Sequence, residues 1–123
     1  MAFSDNSAQI AGAVTAIHSI AHEQGIVSIA VSIPPSQYQT INKNAAALAT
    51  ETNNRIEEWC NNSNGKCVWC RNPITKWDEH GGNFSPDGLH LSPEGYEVFG
   101  RGLANVVKSV LKDLGNNEQL INL

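Results

Sequence analysis

Positive charge is scarce in this sequence and is nowhere concentrated. The 123 residues include 8 Lys and Arg against 12 Asp and Glu, which gives a net charge of -4 and a pI near 5.4. Proteins that bind nucleic acid carry a basic surface that neutralises a run of phosphates. We therefore expect no nucleic-acid partner.

Long hydrophobic runs are lacking as well. No apolar stretch approaches the roughly 18–20 residues that a membrane span needs. The N-terminal stretch "MAFSDNSAQ" has neither the basic segment nor the apolar core of a secretory signal. The sequence therefore predicts a soluble, cytoplasmic chain without a membrane span.

Cysteine is rare, and the number of cysteines is odd. Because no export signal is visible, we interpret Cys60, Cys67 and Cys70 as thiols rather than as disulfides. An alternative is a zinc site in which His80 joins the three cysteines, since C-x-x-C is a common ligand pair. Residues three apart on a strand point to opposite faces, however, which favours buried thiols. We expect no metal and no cofactor.

The sequence does contain enough apolar residues for one core. Hydrophobic residues make up 41% and charged residues 16%, so residues 1–123 are interpreted as a single domain. Apolar residues recur at three- and four-residue intervals from Ser7 to Glu23, which predicts an amphipathic helix that ends at Gly25. Its predicted buried face carries Ile10, Val14, Ile17 and Ile20, with Ala13 and Ala21. His18 and His22 share a face of this helix, and we expect them to be exposed or half-buried rather than metal ligands.

The rest of the chain alternates between strands and helices. "GIVSIAVSIPPS" predicts a buried strand that Pro34 ends, and "CVWC" predicts a second strand. A helix is predicted between them, from roughly Asn42 to Trp59. After a loop over residues 72–91, Ser92 and Pro93 favour the start of a final helix that Gly115 closes. The predicted core face of that helix carries Tyr96, Phe99, Leu103, Val106, Val107, Val110, Leu111 and Leu114.

This alternation predicts an α/β layer built on a parallel sheet. Only two strands are visible, yet a strand as apolar as "IVSIAVSI" is expected to have neighbours on both edges. We therefore expect the sheet to need additional strands that this sequence does not contain.

The candidate chemistry lies in "DGLHLSPEGY", where Asp87 and His90 stand three positions apart. A carboxylate beside a histidine holds the ring in one tautomer and stabilises the imidazolium that forms when the ring accepts a proton. Gly88 eases the bend that brings the two side chains together. The alternative is that Asp87 only caps the loop and that His90 is an ordinary exposed or core histidine.

The stretch "FSPDGLHLSPEGYEVFGRGLANVV" resembles the last block of the SGNH, or GDSL-type, hydrolases. Upstream, "AIHSIAHEQGIVSIAVSIPPS" is similar to the helix, strand and "IPP" turn in the middle of that family's flavodoxin-like fold. The resemblance covers roughly residues 7 to 114, and only its D-G-L-H-x-S-x-x-G-Y block is specific. It implies a partial flavodoxin-like, three-layer fold that corresponds to the C-terminal half of an SGNH hydrolase domain, with the N-terminal strands missing.

The resemblance also implies a function. Asp87 and His90 would be the acid and base of a Ser-His-Asp triad that cleaves carboxylic esters, with a small-molecule or lipid ester as substrate. The family's G-D-S and G-x-N-D blocks, which supply the nucleophile and the oxyanion hole, are not found. The closest stretch is "AFSD", residues 2–5, with Ala2 in place of Gly and Ser4 in place of Asn. We therefore expect the chain to be inactive alone.

A second hypothesis belongs to a different class of protein. The chain could serve as a non-catalytic remnant that acts as an interaction or assembly subunit. An open edge of a parallel sheet is a template for pairing, so the expected partner is a second copy or a complementing N-terminal half.

Overall fold

The computed structural model describes residues 3–121, and the side chains of residues 6–116. Along this part of the chain the elements follow the predicted order of helix, strand, helix, strand, loop and helix, with one short helix added. They are α1 (Phe3–Glu23), β1 (Ser28–Val31), α2 (Gln37–Ile41), α3 (Lys43–Asn61), β2 (Cys67–Cys70) and α4 (Pro93–Ile121).

The two strands form a parallel pair, with Ser28 opposite Cys67 and Val31 opposite Cys70. A parallel pair needs a crossover connection, and α2 and α3 provide it. The predicted α/β architecture with a parallel sheet is confirmed at this level. Within residues 3–121 each strand has one neighbour, so the outer edge of β1 is unpaired.

The short helix α2 is absent from the sequence-based prediction. Ser36 caps it, because its hydroxyl accepts a hydrogen bond from the backbone N–H of Gln39. A helix of five residues is too short to display an apolar period, which explains why the pattern missed it. Asn42 then caps α3 by accepting a bond from Ala45 N at 2.9 Å, as the predicted start at Asn42 requires.

The core lies between α1, α3 and one face of the sheet. Its buried residues are Ala11, Ala30, Ile56, Cys60 and Cys67, and Val14, Trp59 and Trp69 pack against them. Alternate strand residues point to opposite faces, so Val31 lies on the other face from Ala30. Val31 lines a groove together with Tyr96 and Phe99 of α4. The helices α1 and α3 therefore cover one face of the sheet, and α4 covers part of the other.

The predicted buried face of α1 is wrong at its three isoleucines and at Ala13, whereas Val14 packs against the core as predicted. Ile17 and Ile20 are 69% and 62% exposed, and Ile10 is exposed as well. The buried side of α1 instead carries Ser7 and Ala11, because small side chains let α1 approach α3 closely. The isoleucines lie on the outside, where nothing in the described part of the chain covers them.

The prediction for α4 is wrong in two respects. The helix continues through Gly115 to Ile121, because this glycine does not adopt the positive φ that ends a helix, and glycine inside a helix costs only about 1 kcal/mol. The predicted core face is also only half covered. Phe99, Leu103, Val106 and Val110 are half-buried, whereas Tyr96, Val107, Leu111 and Leu114 are exposed.

Among the residues that the structure describes, no helix has both the length and the apolarity to cross a membrane.

Three variants test whether the isoleucine face of α1 is exposed. Ile56→Ala, in the core, should lower the free energy of unfolding by about 2–5 kcal/mol, and Ile56→Val by about 0.5–1.5 kcal/mol. Ile17→Ala should change it by no more than about 0.5 kcal/mol, because this side chain is 69% exposed. Urea denaturation of the purified chain measures all three. A loss at Ile17 as large as that at Ile56 would mean that α1 is covered in solution.

Candidate active site at the carboxyl ends of the strands

The loop that carries Asp87 and His90 is closed at its base by Ser85. The backbone N–H of Ser85 donates to the carbonyl of His90 at 2.8 Å, and its hydroxyl donates to the carbonyl of Leu91 at 3.1 Å. Phe84 and Leu91 add an antiparallel bridge just outside these bonds. The loop is therefore fixed at both ends, although it has no regular secondary structure.

Gly88 occupies the bend of this loop, as predicted. Its φ of 69° lies in the left-handed region that favours glycine, and its N–H donates to the carbonyl of Ser85 at 3.0 Å. A Cβ at this position would collide with the side chain of Gln37. The backbone N–H of Gln37 donates to the carbonyl of Gly88 at 2.9 Å, so the first residue of α2 fixes the loop from outside.

The role of α2 was missed by sequence reasoning. Gln37 supports the tip of the loop, and Ser36 sets the start of α2 through its cap. A serine directly after two prolines is a signal for the start of a helix, and it could have indicated this element.

The start of α4 is fixed directly after His90. The Ser92 hydroxyl accepts a bond from Gly95 N at 3.0 Å, which confirms the predicted cap, and donates to the carbonyl of Gly82. The N–H of Ser92 donates to the carbonyl of Asn83 at 3.0 Å. These bonds set the position of the chain on the C-terminal side of the histidine.

Asp87 and His90 are in direct contact. Oδ2 of Asp87 lies 2.5 Å from Nδ1 of His90. The other oxygen, Oδ1, accepts bonds from the backbone N–H groups of Leu89 and His90, each at 2.9 Å. One carboxylate thus bonds two backbone N–H groups of the loop and contacts the ring, a geometry that is compatible with both interpretations of Asp87.

These hydrogen bonds lower the pKa of Asp87. The bond from His90 is the largest cause, and the two backbone N–H groups add to it, so that the pKa falls from 3.8 to about 2. The side chains of His90 and Asp87 are 66% and 48% exposed. An exposed pair of this kind contributes little to the stability of a fold.

An apolar groove of about 490 Å³ begins at His90. Val31, Ile33 and Asn72, at or just after the carboxyl ends of the strands, line it together with the apolar side chains of Leu89 and Phe99. Parallel α/β sheets bind their ligands outside the carboxyl ends of the strands. The histidine therefore lies where this type of sheet places chemistry.

Of the other predicted candidates, those that the structure describes do not line this groove. Ala2 lies outside the described residues, as does the side chain of Ser4. Cys70 is buried, and its thiol lies 3.5 Å from the carbonyl of Arg71, while His80 is exposed in a loop. Among the described residues no group of three His, Cys, Asp or Glu side chains is arranged to hold a metal ion.

A second cluster of polar side chains lies at the opposite, amino end of the strands. Ser28 Oγ is 2.8 Å from Nδ1 of His18 and 2.9 Å from Nε2 of His22. The ring of His22 stacks on Trp59, with centroids 5.5 Å apart. Both histidines are half-buried, which was one of the two predicted environments.

The contact between Asp87 and His90 predicts how the acid titrates. In His90→Ala the pKa of Asp87 should rise from about 2 toward 3.8 without reaching it, because the two backbone N–H groups remain. Because the pKa of Asp87 is lower in the folded chain than its ordinary value, the ionised carboxylate stabilises the folded chain above pH 3.8. This contribution is lost as the pH falls toward 2. Carbon-13 NMR of the carboxyl group measures the pKa, with His80→Ala as the matched control. An unchanged pKa of Asp87 in His90→Ala would contradict the contact.

Compared with protein-family models, with curated proteins and with solved structures, the chain gives no match in any of the three.

Proposed function

We propose that this chain is the C-terminal half of an SGNH-type hydrolase that acts on carboxylic esters. Asp87 is the orienting acid and His90 the general base, and the serine is supplied by a complementing half. The observation that carries the proposal is the 2.5 Å contact between Asp87 Oδ2 and Nδ1 of His90, a residue that lines the groove.

The contact determines which nitrogen of the ring is available. Because Nδ1 faces the carboxylate, Nε2 is the atom left to accept the proton of a serine. Within the described residues no protein group bonds Nε2, and the ring is 66% exposed. A histidine held in this way is ready for a nucleophile that arrives from outside the chain.

The reaction follows from these positions. The serine oxygen attacks the ester carbonyl while its proton passes to Nε2 of His90, and Asp87 stabilises the imidazolium. The proton then passes to the departing alcohol, which leaves an acyl-enzyme. Water, deprotonated by the same nitrogen, releases the acid and restores the serine. No cofactor takes part in these steps.

The groove favours an ester with an apolar part. Leu89 and Phe99 line it beside His90, and Pro34 follows β1 along the floor. Apolar walls stabilise an alkyl or acyl chain through the hydrophobic effect. Leu89 is 60% exposed, so the groove is open on one side, where a complementing half would provide the remaining wall.

The alternative is a non-catalytic assembly subunit. One specific observation favours it, which is the combination of an unpaired β1 edge with exposed isoleucines on α1. Such a surface favours binding to a partner, whether or not the resulting assembly is catalytic. Assembly alone, however, has no need for the contact between Asp87 and His90.

The purified chain should show no ester hydrolysis that depends on His90. A histidine base has no effect without a nucleophile, so the chain and His90→Ala should hydrolyse a short p-nitrophenyl ester at the same background rate. A spectrophotometric assay of both proteins measures this. Turnover that is lost in His90→Ala would contradict the assignment of the nucleophile to another half.

Within the native assembly, the serine should react with a fluorophosphonate probe at a rate set by Asp87. Asp87→Asn should slow labelling by about 10²–10⁴-fold, because the neutral amide no longer holds the ring in the productive tautomer. Asp78→Asn is the matched control, since Asp78 caps the same long loop by accepting from His80 N at 2.9 Å. The tagged chain and its variants are isolated from the source cells with their partner. Equal labelling in Asp87→Asn and Asp78→Asn would contradict the proposal, and an unlabelled assembly would favour the scaffold.

A further inference from the structure

Two of the three cysteines lie side by side at the amino end of the sheet. Sγ of Cys60, in the last turn of α3, is 3.3 Å from Sγ of Cys67, the first residue of β2. Cys70 has no thiol neighbour in the described part of the chain, and its thiol lies against the carbonyl of Arg71. The pair is thus formed by the helix and the strand, and not by the C-x-x-C spacing that the sequence displays.

The turn between α3 and β2 maintains this approach. The hydroxyl of Ser63 donates to the carbonyl of Cys60 at 2.6 Å and accepts from the backbone N–H of Cys67 at 2.9 Å. Asn64 and Gly65 adopt positive φ angles that reverse the chain. One side chain therefore joins the backbones of both cysteines.

The two thiols have different surroundings. Cys60 donates its S–H toward Cys67, and burial together with this bond raises the pKa of Cys60 to about 12. Cys67 accepts that bond and lies 3.8 Å from Nδ1 of His18. Burial and the neighbouring His22 lower the pKa of His18, so its ring is neutral at pH 7, and its Nδ1 lies between Ser28 Oγ at 2.8 Å and the thiol of Cys67. Cys67 is therefore placed to attack an oxidant, and Cys60 is placed to react afterwards, as a thiol, with the oxidised sulfur of Cys67.

We propose that Cys60 and Cys67 form a peroxide-oxidised dithiol, in which Cys67 is the attacking sulfur and Cys60 the resolving sulfur. This site lies at the opposite end of the strands from Asp87 and His90, and it does not depend on the ester hydrolase assignment. The oxidant is hydrogen peroxide or another small hydroperoxide.

The steps balance with one peroxide for two thiols. Cys67, whose proton passes to His18, attacks one peroxide oxygen; an S–O bond forms, the O–O bond breaks, and the leaving hydroxide takes that proton to become water. Cys60 then attacks the sulfur of the sulfenic acid, which forms the S–S bond and releases a second water. Two thiols are oxidised to one disulfide, and the peroxide is reduced to two water molecules.

Burial selects a small oxidant. Both cysteines are 3% exposed, so a bulky disulfide such as oxidised glutathione has no path for in-line attack. A peroxide is about the size of two water molecules and needs only a local opening of the turn. Asn62, Asn64, Gly65 and Lys66 on this turn are exposed, so an opening of the turn would admit solvent beside the pair.

Peptide mapping of the peroxide-treated, folded chain tests the proposal. Wild type should lose two of its three alkylatable thiols, and trypsin should release residues 56–66 joined to residues 67–71, because Lys66 separates the two cysteines. Cys70→Ser is the matched control: another buried thiol is replaced, yet the same two peptides should remain joined. A disulfide within residues 67–71, or three thiols left intact, would overturn the proposal.

Single variants separate the two roles. In Cys60→Ser the reaction should stop at the sulfenic acid of Cys67, which dimedone traps and mass spectrometry locates. In Cys67→Ser no disulfide and no dimedone adduct should form, because Cys60 remains a thiol. Dimedone labelling of Cys60 in Cys67→Ser, with none of Cys67 in Cys60→Ser, would reverse the assignment and overturn it. If either variant fails to fold, the wild-type and Cys70→Ser maps together still decide whether Cys60 and Cys67 form the disulfide.

Discussion

The parallel pairing of β1 with β2 is the constraint on which the rest of the structure depends. Strands that run side by side in one direction need a crossover, and α3 provides it by packing on the sheet and on α1. The pairing brings both carboxyl ends to one edge, where Ser32 N continues the ladder by donating to Cys70 O at 2.9 Å. The hydroxyl of Ser32 then accepts from Asn72 N at 2.8 Å, which directs the chain into the loop that ends at Asp87 and His90.

The same pairing forms a sheet with fewer strands than the apolar sequence of β1 predicts. A pair of four-residue strands has two outer edges, and independent stability in general needs more strands or a covered face. The unpaired edge of β1 and the exposed apolar side chains of α1 and α4 are consequences of one geometry. Additional parallel strands beside β1 would pair that edge. The proposal that this chain is half of a larger α/β domain draws on this feature together with the histidine.

Local signals predicted local structure well. The cap at Ser92, the bend at Gly88 and the contact between Asp87 and His90 each depend on a few adjacent residues, and all three are present. The parallel strands were predictable because short runs of β-branched or aromatic residues that end at proline or polar turns are typical of strands. The fold of the site was thus largely readable from residues 82–95.

Features that depend on distant packing were not predictable from the pattern. Which face of α1 is buried is decided by Ser7 and Ala11 meeting α3, not by the larger isoleucines. The Cys60–Cys67 contact depends on how α3 meets β2, whereas the spacing drew attention to Cys67 and Cys70. Periodicity states which residues share a face, but only the neighbouring elements determine which face is covered.

The most direct test of the central claim is the native size of this chain in its source cells. Size-exclusion of a gentle extract, followed by detection with an antibody against the C-terminal helix, measures it. The account predicts that the antigen elutes well above 13.3 kDa, either as part of a longer polypeptide or with a complementing half that covers β1. A monomer of 13.3 kDa would contradict it, because the β1 edge and the apolar face of α1 would then be open in the working protein.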